Sequence, residues 1–124
     1  MTRGTLYDQL GGAPAVADVV ERFYTRLRVD VEVRHLFSAE RAERVMDAQR
    51  QYFSAMLGGP SERFGADLAA ELAAAHRDVA IEDHHVALVL EHLRAALRES
   101  GVAEPITDRV VAVAMRLWWA RRWN

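Results

Sequence analysis

Apolar residues recur along this chain with the period of a helix almost throughout. Val16, Val19, Val20, Phe23, Tyr24 and Leu27 follow at i, i+3, i+4, i+7, i+8 and i+11, which is one face of an amphipathic helix. Val45, Gln49, Tyr52, Phe53 and Met56 form a second stripe, and Leu68, Leu72, His76 and Val79 a third. A fourth runs through Val86, Val89, Leu90, Leu93 and Leu97, and a fifth through Ile106, Val110, Val113, Ala114 and Leu117. The punctuation agrees with these stripes. Gly11-Gly12 separates a short N-terminal turn of helix from the first long helix, in whose first turn Pro14 is at home. Gly58-Gly59-Pro60 ends the second helix, Gly65 interrupts the loop before the third, Gly101 stops the fourth and Pro105 opens the fifth. No segment alternates with period two between hairpin turns. The pattern predicts an all-α fold of about five main helices with short connections, in a single domain spanning residues 1–124.

Composition narrows the class of function. The chain has 124 residues, 51% of them hydrophobic and 27% charged, which is enough apolar material for a real core. The net charge of -2 speaks against a nucleic-acid binder driven by overall charge. Cysteine is absent, which removes disulfides and thiolate metal sites. The first residues, MTRGTLYDQL, lack the apolar run of a signal peptide, and no segment is long and apolar enough to span a bilayer. The expected location is the cytoplasm.

Three polar residues interrupt the apolar stripes. Tyr24 shares a face with Val20 and Leu27, Gln49 with Val45 and Phe53, and His76 with Leu72 and Val79. A buried polar group without a partner costs roughly 1–3 kcal/mol, so each needs one inside. Taken singly, each reads more readily as a satisfied core residue than as a ligand. Taken together, three inward polar groups on three helices of a cysteine-free domain suit a buried, flat, metal-bearing cofactor. The alanines of ELAAAHRDVA (71–80) support that reading, because Ala73 and Ala75 leave a planar macrocycle free to approach His76. Neutral imidazole is a good iron ligand, and haem iron is commonly held by one histidine.

Several blocks then carry a family resemblance: LYDQLGG (6–12), ERFYTRL (21–27), HLFSAE (35–40), QRQYFSAMLGGP (49–60), AAAHRDVAIEDHH (73–85) and LEHLRAAL (90–97). In this order they resemble the truncated haemoglobins, most of all group I, from Leu6 to about Leu117. The resemblance implies a two-over-two helical sandwich around haem b (iron protoporphyrin IX). By position, His76 is then the proximal iron ligand. Tyr24 is the distal tyrosine that hydrogen-bonds bound dioxygen, and Gln49 is its distal partner. Phe37 packs on the haem plane, Val45 takes the distal position held by histidine in larger globins, and Phe53 lies near the ligand tunnel. Leu72, Val89 and Leu93 line the haem, and Arg44 and Arg77 are candidates for the propionates. The segment between Gly59 and His76 is a few residues longer than the group I pattern, and LWWARRWN (117–124) has no counterpart in it. Trp118, Trp119 and Trp123 read either as a helix end packed on the core or as a patch for self-association.

The implied function is binding of dioxygen, nitric oxide or carbon monoxide at a five-coordinate iron. Turnover of nitric oxide to nitrate with bound dioxygen would follow, served by a separate electron-donating reductase. A gas-sensing or oxygen-binding module without turnover, a weak peroxidase, and a haem-free helical interaction protein remain alternatives, and the expected state is a monomer or weak homodimer. Of the other histidines, His84 and His85 open the fourth helix and His92 follows seven residues later. They read as a partly exposed helix face rather than as a zinc site, because two nitrogen ligands do not close one.

Overall fold

The structure, a computed structural model, describes residues 4–36, 50, 51, 53, 54, 57–59 and 83–121, the side chains of residues 36, 83 and 117–121 excepted. Among the described residues every regular element is helical: α1 (Leu6–Leu10), α2 (Gly12–Val29), a 3-10 turn (Arg34–Leu36), α3 (Asp83–Glu99) and α4 (Glu104–Arg121). Arg50, Gln51, Phe53 and Ser54 are helical as well. No helix among them is long and apolar enough to cross a membrane.

Local chemistry sets the ends. Thr5 and Asp8 form a reciprocal capping box: the Thr5 hydroxyl accepts from the Asp8 N–H at 3.2 Å, and the Thr5 N–H donates to the Asp8 carboxylate at 3.3 Å. Gly11, at φ +126°, closes α1 and starts α2. This is a backbone geometry that residues with a Cβ rarely adopt. At the far end of α2, Asp30 takes an extended conformation and its carboxylate accepts the Glu32 N–H at 2.9 Å, turning the chain toward the 3-10 turn. α3 ends in a Schellman motif: the Val102 N–H reaches the Leu97 carbonyl, the Gly101 N–H reaches Arg98, and Gly101 stands at φ +84°. Arg98 then grips the Glu104 carboxylate through Nε at 2.6 Å and through a terminal nitrogen at 3.2 Å, fixing the short connection into α4.

The inward stripe of α2 is the one expected: Val16, Val19, Val20, Phe23, Tyr24 and Leu27 are all buried. α3 packs on α2 and on α4, and α1 packs on α2 and α4. Leu93, Ala96 and Leu97 of α3 and Val110 and Val111 of α4 join the α2 stripe with Phe53 and Leu57 in one apolar cluster. Each large aliphatic side chain buried there contributes about 1.5–3 kcal/mol. The core face of α4 differs from expectation. Among its described side chains Thr107, Val110 and Val111 are buried and Ile106 and Ala114 pack partly against the cluster, while Leu117 lies outside the described side chains. The helix turns toward Thr107 because 107, 110 and 111 form a helical stripe of their own once threonine counts as a core residue.

Candidate functional site

Four of the site residues expected from the sequence are described, and they come together. Tyr24 sits on the inner face of α2 and is only 3% exposed. The Phe23 ring meets Tyr24 edge-on at 5.8 Å and Phe53 edge-on at 6.2 Å between centroids, so one aromatic joins the two expected pocket positions. Leu93 is buried in the same cluster, and Val89 packs partly against it. The group thus draws on α2, on the segment around Phe53, and on α3. Phe37, Arg44, Val45, Gln49, Leu72, His76 and Arg77 lie outside the described residues.

The described members would offer a cofactor an apolar setting. They provide aromatic and aliphatic walls from three segments and carry one phenolic hydroxyl into an apolar interior, where it can act on a polar ligand. Among the described residues no group of three or more His, Cys, Asp or Glu side chains is placed to hold a metal ion, and His76 lies outside them. An open cleft of about 340 Å³ lies elsewhere, lined by Val86, Leu90, Val111 and Met115 with the charged Glu91 and Arg94. None of the expected site residues lines it.

The histidines divide. His84 is exposed and His85 half-buried, their rings 4.0 Å apart, with the His35 ring 5.6 Å from that of His85. His92 belongs to a network that the sequence reading missed. Its Nε2 lies 2.5 Å from the Asp30 carboxylate, and the Arg26 Nε donates to its Nδ1 at 3.3 Å. Arg26 in turn donates to Glu99 at 2.6 Å. The His92 hydrogen bond, with help from the Glu32 N–H, holds the Asp30 carboxyl below its ordinary range. Locally, position 92 carries only a histidine on what reads as a partly exposed helix face. Its partners lie more than sixty residues away, beyond the reach of any spacing rule.

Comparison with known proteins agrees with this picture. The family model of the bacterial-like globins matches residues 5–120. The chain is 34% identical over 111 residues to the group 1 truncated hemoglobin GlbN of Mycolicibacterium paratuberculosis, covering 89% of this chain and 79% of that one. Among solved structures, the Fe(III) form of truncated hemoglobin from Tetrahymena pyriformis superposes with a TM-score of 0.80 at 26% identity, covering 91% of this chain and 93% of the other. The 2/2 hemoglobin of Synechococcus sp. PCC 7002, solved in the cyanomet state with covalently attached heme, gives 0.76 at 27% identity, over 89% of each chain. The helices form the two-over-two globin fold, and the chain belongs to the bacterial-like globins, as a truncated haemoglobin most similar to group I.

Proposed function

We propose that this globin binds haem b through His76, holds dioxygen and other diatomic gases, and turns nitric oxide over to nitrate. Haem held by one histidine would supply an iron able to bind a diatomic gas. Everything else falls to the chain. His76 would hold the group. The Tyr24 hydroxyl and the Gln49 amide would donate hydrogen bonds to the gas. Phe53, Val89 and Leu93, with Phe37, Val45 and Leu72, would keep water away, and Arg44 and Arg77 would meet the propionates. A hydrogen bond to a charged acceptor contributes about 1.5–3 kcal/mol, so two donors raise retention by up to about 3–6 kcal/mol. Retention of that order suits chemistry on the bound gas better than delivery of it. An electron donor is then required after each turnover, and the reading includes a separate reductase, a cytoplasmic setting and a monomer or weak homodimer.

The observation that supports this reading best is the hydroxyl of Tyr24, carried by α2 into an apolar cluster shared with Phe53 and Leu93 in a chain of the globin family. The test is the dioxygen dissociation rate of Tyr24→Phe beside the wild type, with nitrate measured in the presence of nitric oxide and a reducing partner. Loss of one such donor is expected to speed dissociation roughly 10- to 150-fold. An unchanged rate contradicts the distal role. A slow rate without nitrate leaves a binding or sensing module and contradicts turnover.

A further inference from the structure

We propose that His92 is a positioning residue: as a neutral imidazole that donates to Asp30 and accepts from Arg26, it locks the Tyr24-bearing end of α2 onto α3. The inference rests on the reading of Tyr24 as the donor to the bound gas.

The neutral form follows from the partners. A guanidinium only donates, so the Nδ1 that receives Arg26 Nε at 3.3 Å must offer its lone pair. The Asp30 carboxylate accepts, so the Nε2 beside it at 2.5 Å must carry the proton. Imidazolium would set an N–H against the Arg26 N–H, and the other neutral tautomer would mismatch at both ends. Among the described residues, the charged groups of this hydrogen-bonded network are Arg26 of α2, Asp30 just past its end and Glu99 of α3, the last engaging Arg26 at 2.6 Å. Neither partner of the His92–Asp30 pair is freely solvated, with side chains 17% and 18% exposed. Such a half-shielded bond holds its geometry better than a surface ion pair.

The placement gives the bond its consequence. Arg26 and Asp30 flank Leu27, which is fully buried, and Tyr24 lies one turn earlier on the same helix. The end of α2 is therefore fastened to α3 at both His92 and Glu99. A hydrogen bond from Tyr24 to a bound gas tolerates little displacement, and a misplacement of about 1 Å is enough to lose much of it. A glutamine at position 92 still offers an N–H donor and an acceptor, as the neutral ring does; a leucine offers neither.

The experiment uses the full chain loaded with haem. Nitrogen-15 NMR of the carbon monoxide form reads the ring of His92, and dioxygen dissociation is measured for wild type, His92→Gln and His92→Leu, each with and without Tyr24→Phe. The expected results are one protonated and one lone-pair nitrogen near neutral pH, dissociation roughly 5- to 20-fold faster in His92→Leu, and a rate within about twofold of wild type in His92→Gln. No further change is expected when His92→Leu is added to Tyr24→Phe. Should His92→Leu not fold, Arg26→Met, which removes the donor to Nδ1, carries the same expectation. An imidazolium signature near neutral pH overturns the neutral form. If Tyr24→Phe speeds dissociation but His92→Leu does not, or if His92→Leu acts equally with Tyr24→Phe present, positioning is overturned while the distal reading stands. If Tyr24→Phe itself changes nothing, the distal reading fails and the inference falls with it.

Discussion

The ring of Tyr7 lies directly on Gly59. A Cβ built on that glycine would run into Tyr7 Cδ1 and Cγ. The Tyr7 N–H also donates to the Leu57 carbonyl at 3.0 Å. Next door, Gly58 stands at φ +86°, and a Cβ there would come 2.9 Å from Thr5 Cγ2. Leu57, Gly58 and Gly59, which look in sequence like a helix boundary separate from the N-terminal one, thus pack against Thr5 and Tyr7. That contact seats α1 beside the segment that carries Phe53.

Gly59→Ala should therefore destabilise the fold by about 1–3 kcal/mol, because an aromatic ring packed against backbone has little room to retreat. Tyr7→Ala opens that room, so Gly59→Ala should cost much less when combined with it. Denaturant midpoints of the four proteins check this. Simple additivity would mean that the ring does not press on the glycine.

Acid should loosen the fold through carboxylates that are bonded in the native state. Asp18 accepts Ser100 Oγ at 2.6 Å and Arg22 Nε at 3.0 Å, and these bonds hold its carboxyl below the ordinary value. Glu104 is held low by Arg98, and Asp30 by His92. A carboxyl with a lowered native pKa binds its proton less readily in the folded chain than in the unfolded one. Its stabilisation is complete above the unfolded value near pH 4 and is lost as the pH falls through the lower native value. The thermal midpoint should fall as the pH drops below about 4, and Ser100→Ala should make that fall shallower. An identical slope in the variant would remove Asp18 from the account.

Thr107 is fully buried, yet among the described residues its hydroxyl reaches only the Val102 carbonyl, at a long 3.5 Å. Thr107→Val gives up little hydrogen bonding and should leave stability within about 1 kcal/mol of wild type. Thr107→Asn brings an amide with nothing to bond and should cost about 2–3 kcal/mol. Comparable losses in the two variants would show that the hydroxyl matters more than its geometry suggests.

The contrast between α2 and α4 shows what the sequence made legible. All six inward residues of α2 could be named in advance because that stripe is wholly apolar or aromatic. The α4 face was misjudged because threonine hides a core position, and Ala96 of α3 was passed over because a small side chain leaves no mark on a hydrophobic pattern. Of the residues named for the site from position and resemblance, Tyr24, Phe53 and Leu93 are buried in the core cluster and Val89 packs partly against it. The Asp30–His92–Arg26–Glu99 network was not legible. Its members are ordinary surface types in local context, and only the packing of α3 on α2 brings them together.

The most direct test of the central claim is the absorption spectrum of the purified protein beside His76→Ala, in ferric, ferrous and carbon monoxide-bound forms. An intense Soret band and a carbon monoxide complex are expected in the wild type, both lost or changed in coordination in the variant. A wild type that remains helical yet colourless when expressed with haem supply would contradict it, and so would a variant whose spectra match the wild type in all three forms.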